Sequence, residues 1–140
     1  MSQSFSVFVN FDGNCADALK FYSEVFGVEP GSLMTFADAP PDPSFTVTEE
    51  LAPQIMYSNL MIAGTSIMFS DIPPGTEFTA GTNVILNIAS TNEQDLRTWY
   101  DRLQAGGHII MPLGETFFAP MYAMVLDKFG IYWNIIMNKN

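Results

Sequence analysis

The stretch VFVNFDGNCADALKFYSEVFG, residues 7–27, decides the fold, because it returns in altered form as VILNIASTNEQDLRTWYDRLQAGG at residues 84–107. Val7, Val9, Asn10 and Phe11 line up with Val84, Leu86, Asn87 and Ile88 at an offset of 77, and Phe21-Tyr22 line up with Trp99-Tyr100 at 78. A repeat of this kind marks one supersecondary unit used twice. Each copy opens with strand-like alternation and continues with apolar residues three and four apart, the spacing of a helix with one buried stripe. In the first copy Asn14 is the expected N-cap, Cys15, Ala18, Leu19, Tyr22 and Phe26 form the stripe, and Gly27 supplies the left-handed stop. In the second, Ser90 and Glu93 have capping-box spacing, Leu96, Trp99, Tyr100 and Leu103 form the stripe, and Gly106 ends it.

Further strands are expected after each helix, at 55–63 and 66–70 in the first half and at 108–111, 122–126 and 131–137 in the second, with Gly64 and Gly130 marking turns. This gives one domain over residues 1–140, made of a first module at 1–75 and a second at 76–140. Residues 37–53, ADAPPDPSFTVTEELAP, hold four of the nine prolines and four acidic residues, which reads as an insertion loop, either a solvated surface loop or a lid.

Composition narrows the function. With 140 residues and 48% hydrophobic content the chain can bury one sizeable core. Fifteen acidic against five basic residues give a net charge of -10, which repels phosphate backbones and anionic lipid, so neither nucleic acid nor a membrane is an expected partner. Apolar runs fall well short of the about 18 residues of a membrane span, and the first residues read as a strand instead of a secretion signal, so a cytoplasmic location is expected. One cysteine, Cys15, excludes an internal disulfide, and one histidine, His108, excludes a multi-histidine metal centre.

Two consecutive βαβββ modules in this length resemble the vicinal oxygen chelate superfamily, which includes glyoxalase I, extradiol dioxygenases and the bleomycin and fosfomycin resistance proteins. The phrases FDGNCADALKFYSEVFG, SIMFSD, MPLGETFFAPMYA and DKFGIYWNI are similar to signatures of its PhnB-like branch, also labelled 3-demethylubiquinone methyltransferase-like. The resemblance implies an α+β fold in which paired modules form a curved, half-open mixed sheet with helices outside and a ligand cleft inside. It also implies a homodimer, with modules exchanged between subunits in some members. No Gly-rich strand-to-helix turn of the kind that binds S-adenosylmethionine is present, so methyl transfer is not inferred from the branch label.

Strand alternation assigns faces. Val7, Val9 and Phe11, with Val84, Leu86 and Ile88, should meet the helices. Ser6, Phe8 and Asn10, with Asn83, Ile85, Asn87, Tyr132 and Asn134, should face the cleft. In metal-binding superfamily members each module typically supplies one ligand near the start of its first strand and one carboxylate in its last. Aligned on the repeat, those positions fall at Ser6, Met68, Asn83 and Asn134, none of them histidine or carboxylate. Relatives in the branch often carry a histidine where this chain has Tyr57, a neutral phenol. No metal and no other cofactor is therefore expected. Asn134 reads as a polar group retained where a carboxylate has been given up.

The expected cleft, lined by Ser6, Phe8, Tyr57, Met68, Asn83, Tyr132 and Asn134, suits a small, largely apolar organic molecule. Met56, Met61 and Met68 would form an adaptable wall. Glu115 is the one candidate general base, against the reading of an ordinary solvated glutamate. Cys15 reads as a small hydrophobe on the helix stripe, with a dipole-activated thiol as the alternative. His108 reads as a surface histidine, and Asp71 and Asp127 as turn-formers. Two functional alternatives stay open: a metal-dependent lyase, isomerase or transferase of the glyoxalase type, and a dimeric interaction module with a vestigial cleft.

Overall fold

The computed structural model describes residues 3–44 and 46–138. The architecture is α+β, and the chain divides into two compact units between Thr79 and Ala80. The first unit runs β1 (Val7–Phe11), α1 (Cys15–Phe26), β2 (Ser32–Thr35), a 3-10 turn at Phe36–Asp38, β3 (Ile55–Ile62) and β4 (Thr65–Asp71). The second runs β5 (Ile85–Ser90), α2 (Glu93–Gln104), β6 (His108–Gly114), β7 (Tyr122–Leu126) and β8 (Tyr132–Met137). Both are βαβββ. Their sheets have the same order, β1-β4-β3-β2 and β5-β8-β7-β6, with the first strand parallel to the last and the other pairs antiparallel.

In the first unit α1 buries Cys15, Ala18, Leu19, Tyr22 and Val25. Val25 takes the place expected for Phe26, which is only half-buried. The Phe69 ring stacks on Tyr22 at 5.5 Å between centroids and lies 6.2 Å from Phe11, locking helix to sheet. Full burial of rings of this size stabilises by about 2–3 kcal/mol each. Gly27 adopts φ 65°, ψ 38°, and its N–H returns to the Ser23 carbonyl, the left-handed stop the sequence predicts.

Helix starts differ from the expectation. Asn14 occupies the N-cap position of α1 but its side chain makes no cap bond. Asp71, at the end of β4, takes the Cys15 N–H instead, at 2.9 Å. In α2 the cap is Asn92, whose side chain accepts the Gln94 N–H. Ser90 lies two residues before the cap and donates its hydroxyl to Asp95, so the Ser90–Glu93 capping box does not form.

β2 has no counterpart in the sequence reading, because four residues are too few to show a period. The strand is held by β3, where the Asn59 side-chain oxygen accepts the Ser32 N–H at 2.9 Å. The insertion at 37–53 contains Phe45, which lies outside the described residues. Its base is laced by Phe36 N–H to Gln54 O and Ala37 N–H to Ala52 O, with Leu51 buried beneath it. In the second unit β5 begins at Ile85, where its ladder with β8 begins. Val84, expected against the helix, precedes the strand and is 68% exposed. Among the described residues no helix is long and apolar enough to cross a membrane.

Candidate functional site

Register fixes what shares the sheet face turned away from each helix. In the first unit Phe8 lies beside Met68, and Met68 beside Asn59. The next row of that face pairs Asn10 with Ser70, whose hydroxyl donates to Asn10 Oδ1 at 2.8 Å. Tyr57 alternates with Asn59 along β3 and has Met34 as its neighbour on β2. Most of this surface is apolar or neutral.

In the second unit Asn87 lies directly beside Asn134 across the parallel β5–β8 pair, and Met124 flanks Asn134 on the other side. Tyr122, two residues from Met124 on β7, donates its phenol hydrogen to Asn134 Oδ1 at 2.8 Å. This is the partner that makes a half-buried amide tolerable in an otherwise apolar strand. The Phe118 ring stands edge-on to Tyr122, 5.0 Å between centroids and 73° between planes, and Phe117 is edge-on to Phe118 at 5.3 Å. Tyr132 joins Asn134 on this face by alternation, beside Ile85.

Expected site residues are thus partly brought together. Phe8 and Met68 are neighbours on one sheet, and Tyr132 and Asn134 share a face on the other. Ser6 and Asn83 are exposed and precede β1 and β5 instead of lying within them. Glu115 is exposed, directly after β6. The registers also revise an internal equivalence. Phe8 corresponds to Ile85, so Met68 matches Tyr132, and Asn10 corresponds to Asn87, so Ser70 matches Asn134. The earlier pairing of Met68 with Asn134 fails because the last strands, SIMFS and GIYWN, follow a different offset from the first.

The positions to which the resemblance assigns superfamily metal ligands, Ser6, Met68, Asn83 and Asn134, do not fit a divalent cation. They offer a hydroxyl, a thioether and two neutral amides, and one amide oxygen is already committed to Tyr122. Among the described residues no group of three or more His, Cys, Asp or Glu side chains could hold an ion. Cys15 is fully buried, and burial, with the Asp71 carboxylate adding to it, pushes its thiol up to about 12. The activated-thiol alternative is thereby excluded at neutral pH. His108 is exposed at the start of β6, as a surface histidine should be. Asp127 is a turn-former, taking the N–H groups of Phe129 and Ile131, and also binds the Trp133 indole. Asp71 is no turn-former: it is buried and holds the N–H groups of Cys15 and Ile55.

Two βαβββ units, each with its first and last strands parallel, are the arrangement of the glyoxalase/bleomycin resistance fold. The profile of the Glyoxalase/Bleomycin resistance protein/Dioxygenase superfamily matches residues 5–135, and the chain belongs to that superfamily. It is 34% identical over 139 residues to protein YjdN of Escherichia coli K12, covering 93% of this chain and 92% of that one. Two solved structures share the fold. Protein PA1353 of Pseudomonas aeruginosa has a TM-score of 0.87 at 24% identity, covering 99% of this chain and all of that one. The PhnB protein of Bacillus cereus, described as a candidate 3-demethylubiquinone-9 3-methyltransferase, has a TM-score of 0.74 at 22% identity, covering 97% of this chain and all of that one.

Proposed function

We propose that this protein is a PhnB-like binding protein of the cytoplasm that holds a small, largely apolar organic molecule on the helix-free face of one of its two sheets without a catalytic metal. The observation that carries the reading is the composition of each such face. Phe8, Met68 and Tyr57 on one sheet and Tyr132 and Met124 on the other supply apolar contact, and the polar groups among them are hydroxyls and amides, with His108 at the outer strand of the second sheet. A few neutral polar groups in an apolar surround suit a ligand of modest size with one or two polar atoms. Sequestration needs no activating cation, whereas chelation of vicinal oxygens does.

We also infer a homodimer. Ile109, Ile110 and Met111 on the edge strand β6 are each about half exposed, an apolar stretch of the kind that a protein partner covers.

The test is direct. Purified protein is exposed to zinc, nickel, manganese and iron(II), dialysed and analysed for metal, and in parallel screened by thermal shift against uncharged aromatic and aliphatic metabolites. The reading expects substoichiometric metal and a raised midpoint with a subset of apolar compounds. One equivalent of metal retained through dialysis overturns it in favour of a glyoxalase-type enzyme with Glu115 as a candidate base.

A further inference from the structure

On the helix-free face of the second unit, Asn134 is the amide whose orientation a neighbour fixes. Tyr122 donates to Asn134 Oδ1 at 2.8 Å, so the carbonyl end of that amide is fixed toward β7 and its NH2 end points away from the phenol. Among the described residues, no buried side-chain nitrogen or oxygen lacks a hydrogen-bond partner, and no bond from the Asn134 NH2 to them is present, so that group is not fully buried. Asn87, its neighbour on β5, is exposed. Two amides therefore stand side by side, and one of them is oriented by a tyrosine with its donors unspent.

Beside them is an aromatic surface that the fold does not consume. The loop after β6 is closed by Thr116, whose N–H reaches the Ala119 carbonyl at 3.0 Å while its hydroxyl takes the Ala119 N–H at 3.1 Å. Ala119 is buried, which anchors the turn. The turn nevertheless carries Phe117 fully exposed and Phe118 48% exposed. Two phenyl rings left wholly or half in water forgo apolar burial that would stabilise the fold, and the loop is too well tied to be an unstructured excursion.

Charge selects further. The four described basic residues are Lys20 on α1, Arg97 and Arg102 on α2, and Lys128 in the β7–β8 turn. None of these lies on a strand, although His108 opens β6 in the row of Leu126 and Tyr132; the net charge of -10 disfavours an anionic ligand.

Resting on the binding function proposed above, we infer that the second unit holds an uncharged aromatic carbonyl compound, its ring against Phe118 and Phe117 and its carbonyl oxygen accepting from the Asn134 NH2. Edge-to-face partners are already set at 5.0 and 5.3 Å within the protein, and a planar ring extends the same geometry. The amide supplies the single directional contact.

The experiment uses a matched set of probes, 2-acetylnaphthalene, 2-ethylnaphthalene and 2-naphthoate, with binding to the full chain measured by titration calorimetry. In the wild type the ketone is expected to bind about five- to tenfold more tightly than the hydrocarbon, the worth of one hydrogen bond, and the naphthoate more weakly than the ketone. Asn134→Leu, of similar size, should abolish the preference for the ketone. Tyr122→Phe, which keeps the ring but frees the amide to turn, should reduce it, giving a second measurement should the first variant not fold. Phe118→Leu should weaken ketone and hydrocarbon alike. Equal affinity of ketone and hydrocarbon in the wild type, or a ketone preference that survives both Asn134→Leu and Tyr122→Phe, overturns the inference and leaves the binding function standing. If the protein binds no probe and no apolar metabolite, both fall.

Discussion

Asp71 Oδ1 accepts the backbone N–H of Cys15 at 2.9 Å, a bond that joins the end of β4 to the first turn of α1 across 56 residues of sequence. The other carboxylate oxygen takes the Ile55 N–H, where β3 begins, at 2.9 Å. One buried side chain thus satisfies two backbone donors that no helix or ladder serves. Asp71→Ala would orphan both, and Asp71→Asn would place an NH2 against one of them. Each unsatisfied buried donor costs about 1–3 kcal/mol. The expected loss is therefore about 3 kcal/mol for Asp71→Ala, read as a lower urea midpoint at unchanged m-value, while Ser44→Ala in the exposed insertion moves the midpoint little.

The same carboxylate bears on Cys15. Burial first, and the Asp71 charge second, push the thiol from 9.0 to about 12, against a smaller lowering from its hydrogen bond with Ser58. A thiol raised in the folded state keeps its proton where the unfolded chain has released it. Its contribution to stability is full below about pH 9 and is lost as pH rises toward about 12, at up to about 1.4 kcal/mol per pH unit. Cys15→Ala should flatten the fall in stability across that window relative to wild type. In native protein at pH 8 a disulfide reagent such as DTNB should titrate no thiol until denaturant is added.

How much of this was legible follows from the range of each interaction. The strand and helix that open each module carry their own periodicity, and the repeat doubled the signal, so β1, α1, β5 and α2 could be read directly. β2 could not, since Ser32–Thr35 shows no period and is held by Asn59 from a distant strand. Asn14 holds the N-cap position of α1 as local sequence indicates, but the side-chain acceptor that serves the helix start is Asp71, 56 residues beyond Cys15, which no local pattern shows. The partner of Asn134 was within reach. Alternation in YAMVL places Tyr122 and Met124 on one face, and β7 pairs with β8 once a hairpin at Gly130 is assumed. What alternation could not supply was register, which moved the equivalence of Asn134 from Met68 to Ser70.

Gly107 gives a steric prediction. A Cβ built there would overlap the Leu126 carbonyl oxygen and lie 2.9 Å from the Asp127 carbonyl carbon. These are backbone atoms at the rung where His108 of β6 meets Leu126 of β7, and they cannot swing aside as a side chain would. Gly107→Ala should therefore push β6 off β7 and cost about 2 kcal/mol or more, within the range of strained substitutions. Gly75→Ala, where a Cβ would meet nothing within 4 Å but φ is 81°, separates the two causes: it should cost only the about 1–2 kcal/mol of left-handed backbone. Amide exchange in β6 should accelerate in the first variant and not in the second.

The proposed homodimer makes the last prediction. β6 is the outer strand of its sheet, yet Ile109, Ile110 and Met111 present apolar side chains on both of its faces, each 44–50% exposed. Pro112 and two register shifts against β7 interrupt the strand, which discourages open-ended pairing of edge to edge. Such a strand is guarded against polymerisation but not against side-chain docking, so the partner expected is one second copy, packed through these side chains. Light scattering behind size exclusion should give twice the 15.5 kDa chain mass for the wild type. Ile110→Glu, at an exposed position, should leave the fold intact by circular dichroism while shifting the mass toward one chain, since burying a carboxylate in an apolar contact is opposed by several kcal/mol. A wild type that runs as a monomer at 100 μM would refute dimerisation and leave the ligand site untouched.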